Sequence, residues 1–184
     1  MKKLAVALSL LLLSSHAWAL EVAGVNVAPT VSVREKTLNL NGAGIRKKLF
    51  VKVYVGALYT EKKVASADEL IRDPGEKLLR MHYVYKKVER EKIVETFSEG
   101  LANNAPDVAN SVDAKAFLSW FTQDFVAGDT VDIDISPDGT VSASCNGKTL
   151  GTVRSPALAR GVLLIWFGEK PADAGLRKGM LGQG

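Results

Sequence analysis

Residues 39–60 read NLNGAGIRKKLFVKVYVGALYT, and this stretch decides the fold. Its valines, tyrosines and threonine favour β-strands, and the basic RKK run divides it into two halves. We therefore predict two antiparallel strands over residues 37–46 and 49–60, joined near that run. Arg46 and Tyr54 are polar exceptions in a strand pair that otherwise suits a buried core, which makes them the first candidates for a functional site.

The rest of the chain carries groups of strands with helices between them, which indicates an α+β fold with a largely antiparallel sheet. Asp132 and Asp134 alternate with apolar residues, as expected for a strand with one wet face rather than a calcium loop. Ser155 and Pro156 are typical of the start of a helix. Because residues 162–167 of this helix are all apolar, we expect it to be buried on all sides. Further strands are predicted at 76–86, 129–136 and 139–146, and further helices at 88–104 and 111–125, the last of which would bury Val112.

The N-terminal residues are typical of a secretory signal peptide. Two lysines precede an apolar run over residues 4–13, and the small-residue pattern Ala-Trp-Ala at 17–19 suits a cleavage point. The run is shorter than the roughly 20 residues that cross a bilayer. We therefore expect residues 1–19 to be removed, and residues 20–184 to form one exported, periplasmic domain without stable membrane insertion.

Composition excludes several classes of chemistry. Loss of the signal peptide would lower the formal charge from +4 to +2, and the basic residues are dispersed in the short runs RKK (46–48), EKK (61–63) and YKK (85–87), so we predict no nucleic-acid partner. Cys145 is the only cysteine, which rules out an internal disulfide, and His82 is the only histidine after residue 19. The sequence predicts no metal and no cofactor, and it does not indicate an oligomeric state.

Four segments in this order resemble the chalcone isomerase superfamily, and in particular its bacterial, exported chalcone isomerase-like domain. The resemblance covers about residues 22 to 182, and each segment alone is weak. It implies an open-faced β-sandwich of the α+β class, with a large antiparallel sheet, a helical layer on one face and a cleft between them. The segments are LNGAGIRKKLFVKVYVGALYT, FTQDFVAGDTVDID, DGTVSASCNGKTLGTV and SPALARGVLLIWFGEKP.

The resemblance does not carry over the catalytic residues of the plant enzyme. Arg46 matches the arginine that this enzyme places in its substrate cleft. The enzyme's other four cleft positions fall on Tyr54, near Glu89, near Thr96 and about Ile165, and none keeps the enzyme's residue. Because one stabilising donor is worth about 3–4 kcal/mol of the barrier, we predict no catalytic set and no cyclisation of chalcones.

Non-catalytic relatives in the superfamily include fatty-acid binders, in which an arginine and a tyrosine hold the carboxylate. Arg46 and Tyr54 match both roles. A guanidinium offers a planar fork to a carboxylate, and a phenol donates one more hydrogen bond. Gly42 and Gly44 would allow close backbone approach or a positive φ before the arginine. The resemblance thus implies a binder of a small amphipathic anion such as a fatty acid.

Two other functions stay open at this point: an isomerase or lyase with an unknown substrate, and a scaffold or interaction module without a ligand. Arg46 also suits a structural role, in which it pairs with a buried carboxylate or caps backbone carbonyls. A roomy apolar cleft lined by Arg46 and Tyr54 favours the binder. An ionisable group with a perturbed pKa in the cleft favours the enzyme, and a filled cleft beside an exposed apolar patch favours the module.

Overall fold

The computed structural model describes residues 20–184; the predicted signal peptide, residues 1–19, lies outside them. The strands and helices are β1 (Leu20–Val22), β2 (Val25–Val27), β3 (Thr30–Val33), β4 (Lys36–Lys48), β5 (Val51–Thr60), α1 (Ala67–Arg72), β6 (Lys77–Tyr83), β7 (Lys87–Val88), α2 (Arg90–Asn104), α3 (Pro106–Ala109), α4 (Val112–Ser119), β8 (Phe125–Val126), β9 (Thr130–Ile135), β10 (Thr140–Cys145), β11 (Lys148–Arg154), α5 (Pro156–Phe167) and α6 (Ala174–Met180).

Seven strands form one sheet in the order β11-β10-β9-β6-β5-β4-β3, and every neighbouring pair is antiparallel. Two small antiparallel pairs stand outside it: the β1–β2 hairpin, and β7 with β8, which are separated in the chain by α2, α3 and α4. The α+β class with a large antiparallel sheet is therefore confirmed. Among residues 20–184, no helix is long and apolar enough to cross a membrane.

The two faces of the sheet build two separate cores. One face packs against the helices, and its cluster includes Leu58, Met81 and Ile133 together with nearly all of α5. The other face forms a smaller cluster that includes Val55 and Tyr59. Helix α5 is buried on every side, from Gly161 through Phe167, as its uniformly apolar sequence predicts.

Helix α6 packs directly on strand β4, and glycines make this approach possible. A Cβ on Gly42 would lie 2.2 Å from the carbonyl oxygen of Gly179, and one on Gly44 would lie 3.0 Å from that of Leu176. Neither Gly42 nor Gly44 has a positive φ. Of the two reasons that the sequence offers for these glycines, close backbone approach is therefore the one that applies.

Two local predictions were wrong. The RKK run lies inside β4, and the turn is formed by Leu49 and Phe50 instead. The helix predicted at 111–125 ends at Ser119, and Val112 is 83% exposed. The Ser111 hydroxyl accepts from the backbone N–H of Ala114, so the start of the helix was predicted to within one residue. Ala114 and Phe117 form the buried face of α4, and Val112 lies on the solvent side of its first turn.

Candidate functional site

Arg46, Tyr54 and Tyr83 form a row across three adjacent strands. Arg46 is the Cα partner of Tyr54 in the β4–β5 pairing, and Tyr54 is the partner of Tyr83 in the β5–β6 pairing. Directly opposite residues in antiparallel strands point to the same face. The strand register therefore brings both predicted site residues together, and it adds Tyr83 to them.

The row borders an open cleft of about 530 Å³ between the end of the sheet and the first half of α2. This volume lies within the roughly 300–1,000 Å³ that small-molecule sites occupy. One wall is apolar, and the side chains of Val53, Val88, Ile93 and Phe97 contribute to it. Lysines also line the cleft: Lys48, Lys86, Lys87 and Lys92.

Tyr54 is buried, with 4% of its surface exposed. Its hydroxyl oxygen accepts a hydrogen bond of 2.9 Å from Nε1 of Trp166 in α5. Indole nitrogen is a donor only, so the tyrosine keeps its own proton for another acceptor. Burial raises the pKa of Tyr54, which keeps the phenol protonated at neutral pH and able to donate.

Tyr83 is a functional candidate that the sequence alone does not single out. Its ring lies 5.5 Å from that of Tyr54 and stacks on Phe125 at 5.0 Å. Its hydroxyl is fully buried and has no hydrogen-bond partner within the described residues. Burial raises the pKa of Tyr83 well above its usual value. An unpaired buried hydroxyl lowers the free energy of unfolding by about 1–3 kcal/mol, so a group that accepts from Tyr83 would recover this stability.

Arg46 is half-buried and lines the same cleft. Its Nη1 donates to the carbonyl oxygen of Ala172, just before α6. Asp173 fixes the same segment, because its carboxylate accepts from the backbone N–H of Lys47 and from that of Leu176, both at 2.9 Å. The structural role foreseen for Arg46 is thus real, but a guanidinium has five N–H donors, and others remain for a ligand.

Four ionisable groups that line the cleft have raised pKa values. Besides the two tyrosines, Lys87 and Lys92 have raised pKa values, because they pair with Asp124 at 2.8 Å and with Glu95 at 2.7 Å. All these shifts move away from pH 7, where a general acid or base works best.

Other reactive side chains lie elsewhere. Nδ1 of His82 is 3.0 Å from Oγ1 of Thr130 on the opposite face of the sheet. Cys145 is buried in β10, where it packs in the large core. Of the positions that correspond to the plant enzyme, Glu89 and Thr96 line the cleft, whereas Ile165 is buried in the helical layer.

Comparisons with known proteins agree with this picture. A family model described as chalcone isomerase-like matches residues 19–182. Fatty-acid-binding protein 1 of Arabidopsis thaliana is 25% identical over 119 residues, which are 62% of this chain and 43% of that protein. The chain thus spans less than half the length of this curated relative.

Among solved structures, the crystal structure of an Arabidopsis thaliana fatty-acid binding protein is similar, with a TM-score of 0.70. The match has 22% sequence identity and covers 86% of this chain and 92% of the other. At this identity the similarity establishes the fold, which is the one that the sequence resemblance implies.

Proposed function

This chain belongs to the chalcone isomerase-like family, and from that premise we propose that it is a non-catalytic binder of a small amphipathic anion, such as a fatty acid. The observation that carries the proposal is the row of Arg46, Tyr54 and Tyr83 beside an open, partly apolar cleft. A similarity to fatty-acid-binding proteins supports the choice of ligand.

The carboxylate would bind to the polar row. Two phenols that stay protonated and one guanidinium are donors, and a carboxylate is an acceptor with several lone pairs. The Trp166 bond fixes the position of the Tyr54 hydroxyl before the ligand arrives. Such preorganised donors bind an anion with less ordering cost than mobile ones.

The hydrocarbon tail would lie along the apolar wall that includes Val53, Ile93 and Phe97. Each buried methylene contributes about 0.8 kcal/mol, so a medium-length chain supplies most of the affinity while the carboxylate supplies the orientation. The lysines that line the cleft favour an anion over a neutral lipid of similar length.

Binding explains the site better than catalysis does. The cleft offers donors for a charge that is already present, and its shifted groups titrate far from neutral pH. We expect no cyclisation of a chalcone above the uncatalysed background, which an absorbance assay measures directly.

The proposal is tested by calorimetric titration of the purified protein with dodecanoate. Arg46→Ala should weaken binding at least about tenfold, because a hydrogen bond between charged groups is worth roughly 1.5–3 kcal/mol. Arg72→Ala is the matched control, since that arginine is exposed on α1 and should bind like the wild type. Unchanged affinity in Arg46→Ala would refute the assignment, and mass spectrometry of co-purifying lipids would identify the natural ligand.

We also propose that residues 1–19 export the protein to the periplasm. The proposal rests on the lysine pair, the short apolar run and the Ala-Trp-Ala pattern. Cell fractionation and N-terminal sequencing test it: a periplasmic protein that begins at Leu20 is expected, and a cytoplasmic protein that begins at Met1 is the contrary result.

A further inference from the structure

The turn between β4 and β5 exposes large apolar side chains. Phe50 is 100% exposed and Leu49 is 87% exposed, and Val51 next to them is 40% exposed. Tyr85, which follows β6, is 37% exposed. Leu49, Val51 and Tyr85 also line the cleft. The apolar tip, defined here as Leu49, Phe50 and Val51, is therefore part of the cleft mouth.

The backbone of the tip is strained at Leu49. Leu49 has a φ of +56°, a region that glycine and asparagine occupy with far less strain than leucine. Glycine there would remove both the strain and the exposed apolar surface. An exposed leucine in a strained position suggests that its side chain has a use outside the fold.

Lysines outnumber carboxylates at the cleft mouth, where Lys48, Lys86, Lys87 and Lys92 line the cleft and Glu89 is the one acidic residue among the lining residues. Lys47, Lys48, Lys52 and Lys86 form no ion pair within the described part of the chain, whereas Lys87 and Lys92 are paired with Asp124 and Glu95. Lys48 and Lys86 line the cleft together with Leu49 and Tyr85. Two basic runs that are far apart in the sequence thus meet at one mouth and surround an apolar tip.

We propose that this tip docks on the surface of a lipid bilayer that carries anionic lipid. Leucine, phenylalanine and tyrosine side chains enter the headgroup region, and neighbouring lysines are attracted to anionic headgroups. A bilayer fits better than a protein partner, because the apolar part is one small turn beside four lysines that form no ion pair among residues 20–184. The docked orientation places the cleft mouth against the membrane.

This inference stands on the exposure and charge of the tip and does not depend on what the cleft binds. If the cleft binds fatty acid as proposed above, docking lets the ligand pass between the bilayer and the protein without crossing water. The two proposals can therefore fail separately.

The test is co-sedimentation of the chain from Leu20 onward, which contains every described strand and helix, with vesicles. One set is pure phosphatidylcholine, and the other contains equal parts phosphatidylcholine and phosphatidylglycerol. We expect binding to the anionic set that weakens in high salt. Phe50→Ser should lower it at least about fivefold, and Lys47→Gln combined with Lys52→Gln should lower it severalfold. Val112→Ser is the control, because Val112 on α4 is also a highly exposed apolar residue, at 83%, and its loss should change nothing.

A second measurement locates the contact. Phe50→Trp should be quenched by vesicles of brominated lipid, and Val112→Trp should not. Binding that Phe50→Ser leaves intact, or equal quenching at both positions, overturns the proposal, as does binding to neither set of vesicles. Capture of a protein through the tip without vesicle binding also overturns it. Dodecanoate titration of Phe50→Ser without vesicles keeps the two proposals apart, since Phe50 does not line the cleft and ligand affinity should equal that of the wild type.

Discussion

Tyr83 shows at the scale of one residue how a ligand site conflicts with stability. Among residues 20–184 its buried hydroxyl has no hydrogen-bond partner, although its ring packs against Tyr54 and Phe125. Such an arrangement lowers stability unless something binds there. Tyr54 solves the same problem with the Trp166 bond. In the proposed site, the Trp166 bond holds the Tyr54 hydroxyl in place before a ligand binds, whereas the Tyr83 hydroxyl would gain its first hydrogen bond from the ligand.

Tyr83→Phe should therefore stabilise the free protein and weaken the complex. We expect the free energy of unfolding to rise by about 1 kcal/mol, because the unpaired hydroxyl disappears, and the dodecanoate affinity to fall about fivefold or more. Chemical denaturation and calorimetry measure the two effects. Tyr59→Phe is the control: its hydroxyl bonds the carbonyl of Ala28 at 3.0 Å on the other face, so stability should fall and affinity should stay. A loss of stability in Tyr83→Phe would contradict the assignment.

Asp134 on the outer face gives a prediction about pH. Burial and the nearby Asp132 charge raise its pKa from 3.8 to about 6. The folded state then holds the proton more tightly than the unfolded state, so the contribution of Asp134 to stability is present below about pH 4 and is lost as pH rises to about 6. Relative to Asp134→Asn, the wild type should lose unfolding free energy over this interval and not above it. Denaturation curves at several pH values give the unfolding free energy of both proteins. A difference between wild type and Asp134→Asn that is the same at every pH would contradict this prediction.

The contact between β4 and α6 positions the site at the scale of elements. Asn41 strengthens it with a buried hydrogen bond from its Nδ2 to the carbonyl of Met180. The same amide also bonds the loop after β5, because its Nδ2 donates to the carbonyl of Val64 and its Oδ1 accepts from the Val64 N–H. Arg46 reaches Ala172 at the start of the same contact. The motif Asn-Gly-Ala-Gly-Ile-Arg thus attaches a helix and presents a guanidinium at once.

Gly42→Ala should disrupt this contact. The new methyl group would meet backbone oxygens of Gly179 and Met180 at 2.2 and 2.9 Å, and overpacking of this kind costs about 1–3 kcal/mol. Thermal unfolding should show a clear drop in midpoint. Gly175→Ala in α6 is the matched control, because its Cβ would meet only the side chain of Asp173 at 3.2 Å and alanine favours a helix. Equal effects of the two substitutions would show that close approach is not the reason for Gly42.

The sequence predicts elements well where a local signal fixes them. Ser155 and Pro156 start α5 as expected, and the alternation around Asp132 gives β9. The predictions for Val112 and the RKK turn fail because the buried face of a short helix and the extent of a hairpin depend on tertiary packing. Tyr83 was missed for a related reason: its position beside Tyr54 is a matter of strand register, which nothing in the sequence near it specifies.

At the scale of the whole molecule, the two faces of the sheet have different structures. The helical face holds the large core and carries the cleft at one end. The outer face is covered by a small cluster and by polar pairs such as Arg80 with Asp132, joined by two bonds of 2.7 Å. The net charge of the sequence did not predict the cluster of lysines at the cleft. Runs such as 46–48 and 85–87 are dispersed in the sequence and come together only in the folded chain.

The central claim is that Arg46 recognises a carboxylate, and a comparison of two ligands in two proteins tests it most directly. Calorimetric affinities of dodecanoate and dodecanol are measured for the wild type and for Arg46→Ala. The wild type should prefer the acid at least about tenfold, and Arg46→Ala should lose that preference while its affinity for the alcohol stays nearly unchanged. Equal losses for both ligands, or an acid preference that survives in Arg46→Ala, would contradict the account.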